Sequence, residues 1–217
     1  MATYTIRLYN QSLANKSYVV FMQPPVVSAS GGTPPIYTNA WATFENVTNG
    51  GWDTVVYNET TYSYWSQANA TLTPGAVLDS GGAMPVNTAT GDAVTFSNTG
   101  ATGFASVTSS GPARNGSFSI TSSTDFTPTN NFVFGLATDN GGGVPAPVAC
   151  FQALPDETYS ITPVVKFYVA DGLYTPGQVI DVPATSDACA VIDFTGQPQT
   201  TATVAHGANG VFTVTYS

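Results

Sequence analysis

The 217 residues carry 13 acidic and four basic side chains, a formal net charge of −9, with only 8% of positions charged. Four scattered cations cannot neutralise a run of phosphates, which excludes nucleic acid, and the same acidic balance disfavours an anionic membrane surface. No apolar run approaches the ~18 residues of a spanning helix, and a polar surface built from Thr, Ser, Asn and Gly favours strands and turns over helices.

Residues 3–9 alternate, with Tyr4, Ile6 and Leu8 on one face and Thr5, Arg7 and Tyr9 on the other. The segment N-Q-S-L-A-N-K then leads into 18–22, which predicts an opening antiparallel hairpin. Gln23-Pro24-Pro25 ends the second strand, because proline cannot donate to a ladder, and 28–35 (S-A-S-G-G-T-P-P) reads as a loop. Strands follow near 37–44, 53–58 and 61–66, with Asn49-Gly50-Gly51 as a tight turn.

The stretch 36–65 holds all three tryptophans, Trp41, Trp52 and Trp65, together with Tyr37, Phe44, Tyr57, Tyr62 and Tyr64, eight of the chain's 26 aromatic residues. Such rings either fill a core or stack on a flat ligand. The candidate ligand-binding set is Tyr37, Trp41, Trp52, Tyr57, Tyr64 and Trp65. Within it Trp41 reads more readily as core, while Trp52, following two glycines, is as readily exposed as buried.

From 79 to 117 Gly, Ser, Thr and Ala dominate, and we read a loop-rich region with short exposed strands. Strands resume at 117–121 and 131–137, and D-N-G-G-G-V-P follows as an irregular connection. Residues 159–170 form one central strand or a pair bent at Pro163. The echo V-I-D at 179–181 and 191–193 predicts two consecutive strands, 178–182 and 190–194, separated by the turn P-A-T-S-D-A-C, and a last strand spans 211–216. No 3.6-residue apolar stripe occurs. Short strands with turn signals between them predict an all-β fold, an antiparallel β-sandwich forming a single domain over 1–217.

Motifs for catalysis are sparse. The single histidine, His206, has no G-x-S-x-G serine to serve, and in V-A-H-G-A-N-G it reads as a solvated loop residue. One His and two distant Cys do not make a zinc site. Cys150 and Cys189 read as small buried hydrophobes, or as a pair if the protein is secreted. Calcium could draw on Asp53, Asp139-Asn140 and Asp171-Gly172, although no EF-hand pattern is present. Glu45, Asp53 and Glu59 beside the tryptophans could form the carboxylate pair of a glycoside hydrolase. The N-terminus enters a strand pattern with no signal peptide, which predicts a cytoplasmic protein, while six N-x-S/T sequons would fit a secreted one.

The strings Y-T-I-R-L-Y-N-Q-S (4–12), F-M-Q-P-P (21–25), Y-T-N-A-W (37–41), N-F-V-F-G-L-A (131–137), Y-S-I-T-P-V-V-K-F-Y-V-A (159–170) and Y-T-P-G-Q-V-I-D (174–181) are spread between residues 4 and 181, so a resemblance carried by them spans most of the chain. They resemble a group of fungal β-rich proteins of the oyster-mushroom pink chromoprotein type. The resemblance implies a conjugated organic chromophore held non-covalently on a β scaffold, without catalysis. The opening Y-T-I-R-L-Y is also similar to the first strand of small fruit-body lectins. The expected function is therefore a binding protein for a flat small molecule, with Arg7, Lys166 or Arg114 available to an acidic group on it. A lectin, made multivalent by homodimerisation through a sheet edge, is the alternative, and a hydrolase the third reading.

Overall fold

The computed structural model describes residues 3–78, 81–111, 113–182 and 188–217. The chain is built almost entirely of strands: β1 (Thr3–Asn10), β2 (Lys16–Met22), β3 (Val26–Ala29), β4 (Tyr37–Thr38), β5 (Ala42–Val47), β6 (Trp52–Asn58), β7 (Thr61–Gln67), β8 (Gly82–Val86) and β9 (Ala93–Ser97). There follow β10 (Gly103–Thr108), β11 (Phe118–Ser122), β12 (Phe132–Thr138), β13 (Ala146–Gln152), β14 (Thr158–Thr162), β15 (Lys166–Asp171), β16 (Cys189–Asp193), β17 (Thr201–His206) and β18 (Phe212–Tyr216). No helix among the described residues is long and apolar enough to cross a membrane.

The expected all-β, layered architecture is what the chain adopts, realised as four sheets in two facing pairs. Sheet I (β18-β17-β1-β6) faces sheet II (β16-β15-β2-β5), and sheet III (β4-β13-β12-β7-β8) faces sheet IV (β10-β9-β11-β14-β3). Between I and II, Tyr57 meets Phe167 and Tyr4 meets Phe194 with ring centroids 5.1 and 4.6 Å apart. Between III and IV, Phe96 meets Phe134 and Phe132 at 4.9 and 5.1 Å. One contiguous cluster of buried side chains runs through both pairs. Most neighbours pair antiparallel, but β1–β17 and β9–β11 are parallel.

Burial follows this layering. In β1 and β17 only one face is covered, so Ile6, Leu8, Ala202 and Val204 are buried while alternate residues reach solvent. Every residue of β12 is buried, as is every residue of β2 from Tyr18 onward, because loops roof their outer faces. Residues 68–78 and Val179 cover sheet III, while Tyr174 and Ile180 lie over sheet II.

Several expectations are corrected. The opening segments form no hairpin: β1 lies in sheet I and β2 in sheet II. The buried side chain of Asn10 turns the chain between them, since its Nδ2 donates to the carbonyls of Ala14 and Val47 and its Oδ1 accepts from Ser12. The strand expected at 37–44 splits into β4 and β5, with 39–41 crossing from sheet III to sheet II. Of the two readings of 159–170, the pair bent at Pro163 is the one adopted, with β14 in sheet IV and β15 in sheet II. The expected strand 178–182 is instead a covering segment with isolated bridges from Val179 to Asn39 and from Gln178 to Val77. The turn expected over 183–189 lies largely outside the described residues.

Candidate functional site

The sheet alternation divides the aromatic stretch among three environments. Trp41 is fully buried at the crossing between the two sheet pairs, with Tyr57 and Phe167 at 6.1 and 5.6 Å, and its Nε1–H donates to the carbonyl of Thr138 at 3.4 Å. Tyr57 shares this core, and its hydroxyl is pushed above the ordinary tyrosine range by burial and the nearby charge of Glu59. Trp65 points between sheets III and IV against Phe96 and Phe132. Two glycines let the chain close on its indole: a Cβ at Gly82 would lie 2.4 Å from Trp65 Nε1, and one at Gly103 3.3 Å from it. The 79–117 region thus supplies three short strands beside its loops: β9 buries Val94 and Phe96, β10 is mostly exposed as expected, and Gly82 of β8 and Gly103 of β10 are needed for the contact with the indole.

Trp52 is different: it begins β6 on the outer face of sheet I, 58% exposed, beside Tyr9 and Arg7. Gly50, at φ 79°, makes the preceding turn that aims it outward. Tyr37 and Tyr64 lie apart from the core that takes up Trp41, Tyr57 and Trp65, in a second cluster on the outer face of sheet III with Cys150, Leu78 and Val179. Burial pushes the Cys150 thiol up to about 12. Cys189 lies in another sheet, on β16.

Beside Tyr64 opens a cleft of about 420 Å³, walled by Leu78, Ala83, Val144, Pro145, Pro147 and Pro176. Its lining is aliphatic apart from Tyr64 and the amide of Asn140. That amide is fixed in place, since its Nδ2 donates to the carbonyl of Trp41 at 2.9 Å and its Oδ1 accepts from Gly142 N–H. One amide N–H is left for a ligand. Prolines on facing loops stiffen the walls, because their φ is locked. Of the six aromatic candidates only Tyr64 lines this cleft, and Asn140, singled out in the sequence as a calcium contributor, enters it from the D-N-G-G-G-V-P connection. The wall residues were legible only as loop punctuation, since nothing in Pro145, Pro147 or Pro176 states that the segment leading into β13 meets the distant one around Pro176.

Other polar groups gather elsewhere. His206 is not a solvated loop residue but the buried last residue of β17, sharing a 3.0 Å hydrogen bond between Nδ1 and the Tyr18 hydroxyl and stacking on Phe212. It borders a smaller cavity of about 290 Å³ with Ser12, Lys16 and Asp171, the last two ion-paired at 2.5 Å. Asp53 and Glu59 open onto separate grooves, and Glu45 lines neither of them. Among the described residues no group of three or more His, Cys, Asp or Glu is placed to hold a metal ion.

Neither curated proteins nor solved structures contain a match to the chain. A family model described as RhiA matches residues 1–217, the whole length. The chain belongs to the RhiA family.

Proposed function

We propose that the protein binds a flat, conjugated small molecule non-covalently in the cleft beside Tyr64, and that it acts by binding and not by catalysis. The observation that carries this reading is the lining itself: rigid aliphatic walls, one aromatic ring and one immobilised amide. Ligand sites of this kind span roughly 300–1,000 Å³ and use a few fixed polar groups to orient an otherwise apolar molecule. The cleft falls within that range. Its described lining offers no carboxylate, imidazole or amine for proton transfer. The resemblance to pink chromoproteins adds a conjugated pigment as the ligand class.

The test is an absorption spectrum of protein purified from its natural source, followed by denaturation and mass analysis of what is released. A visible band that collapses on unfolding, with a small conjugated molecule in the filtrate, is the expected result. A spectrum of Trp and Tyr alone, with nothing released, would sink the pigment reading.

A further inference from the structure

Independently of the cleft, the outer face of sheet I presents a second arrangement that points to a ligand. Pairing across the sheet places Thr54, Arg7, Thr203 and Thr215 in one row, and Trp52 opposite Tyr9 in the next. The buried partners Ile6, Leu8 and Val204 fix these side chains outward by alternation. Trp52 and Tyr9 lie 6.4 Å apart and the Arg7 guanidinium carbon lies 5.9 Å from the Trp52 ring.

Arg7 is the anomaly. Among the described residues its guanidinium makes no ion pair and no hydrogen bond, and its Nε is covered without a partner. An unsatisfied covered donor is costly, and on a chain of net charge −9 a guanidinium without a carboxylate is chemically unfinished. The fork geometry of arginine matches a carboxylate with two parallel hydrogen bonds. Beside it, Trp52 and Tyr9 offer apolar ring faces at the spacing of neighbouring strands, and threonine hydroxyls flank the row.

We infer that this face binds a neutral glycan carrying an isolated uronic acid. The carboxylate pairs with Arg7, one pyranose face stacks on Trp52 and Tyr9, and Thr54, Thr203 and Thr215 bond its hydroxyls. A densely charged polyuronate does not fit, because the face holds one cation and the acidic protein repels a polyanion.

Aldotetraouronic acid, a single glucuronate on xylotriose, is the probe, titrated into the unaltered full chain with Trp fluorescence and calorimetry as readouts. Its carboxyl methyl ester is the control of equal shape. The acid binds and the ester binds at least about tenfold more weakly, the scale of one charge-assisted pair. Arg7→Gln abolishes the difference between acid and ester, Trp52→Ala weakens both, and Tyr64→Ala changes neither, which separates this face from the cleft. Equal binding of acid and ester by the unaltered protein, or no binding of the acid, would overturn the inference whatever the variants do.

Discussion

Trp41 and Trp52 stand eleven positions apart in one aromatic stretch and do opposite work. Trp41 fills the join between the sheet pairs with its indole N–H satisfied, whereas Trp52 lies on the solvent face of β6. Removing a fully packed aromatic costs about 3–5 kcal/mol, because the transfer free energy of the ring is lost and a cavity remains. Trp41→Ala is therefore expected to lower unfolding free energy by about that much in a denaturant titration, and Trp52→Ala by about 0.5 kcal/mol or less. Similar losses for the two would refute this placement. At the same scale, His206 predicts a pH dependence. Burial holds its imidazole below the ordinary value of 6.5, with Asp171 opposing and Lys16 adding to that effect, and the Tyr18 hydroxyl and Phe212 ring enclosing it. As pH falls through 6.5 the unfolded chain takes up the proton first, so stability declines until the folded value is passed, then levels off. Carboxylates titrate mainly below about pH 5, leaving this window to the chain's only histidine. His206→Gln should flatten stability against pH between about 5 and 7. An unchanged slope would count against a buried neutral imidazole.

At the scale of elements, what the sequence discloses is periodicity, and what it withholds is partnership. β1, β6, β7, β12 and β18 were legible because alternating or continuous apolar runs end at Gly, Pro or Asn. β3 (Val26–Ala29) hid behind the prolines before it and the Ser/Gly loop after it. β13 began inside a proline-rich connection, and β17 reads as Thr and Ala, whose burial comes from being sandwiched between β1 and β18. The hairpin expectation failed for a related reason. Loop length alone permits β1 and β2 to pair, and only the buried bonds of Asn10 turn them into facing sheets. The candidate site shared this fate. Alternation could place Tyr64 opposite Trp65 on β7, but not show that Tyr64 would meet Pro145 and Pro176 from distant loops.

For the whole molecule, the way the chain is threaded decides how it unfolds. Sheets I and II draw their strands from 3–22, 42–58 and 166–216, whereas sheets III and IV draw theirs from 26–38 and 61–162. Neither pair is a contiguous segment, and each crossing of the chain ties one pair to the other. The parallel pairing of β1 with β17 joins residues nearly the full chain apart, so sheet I is incomplete until the ends meet. At the join, the Trp41 indole and the Thr138 carbonyl are bonded across the boundary, and the Thr138 hydroxyl lies 3.9 Å from Met22 Sδ. Chains beyond about 150 residues often unfold in steps, so a single transition here would be informative. We expect coincident midpoints from far-UV circular dichroism, which reports all four sheets, and from Trp fluorescence, dominated by the join and by Trp65 between sheets III and IV. The calorimetric and van't Hoff enthalpies should agree. Two resolved transitions would mean that the sheet pairs are energetically separate units. Trp41→Ala offers the discriminating variant: with a cooperative join it lowers one shared midpoint for both probes, while with separate units it would pull one probe's transition away from the other's.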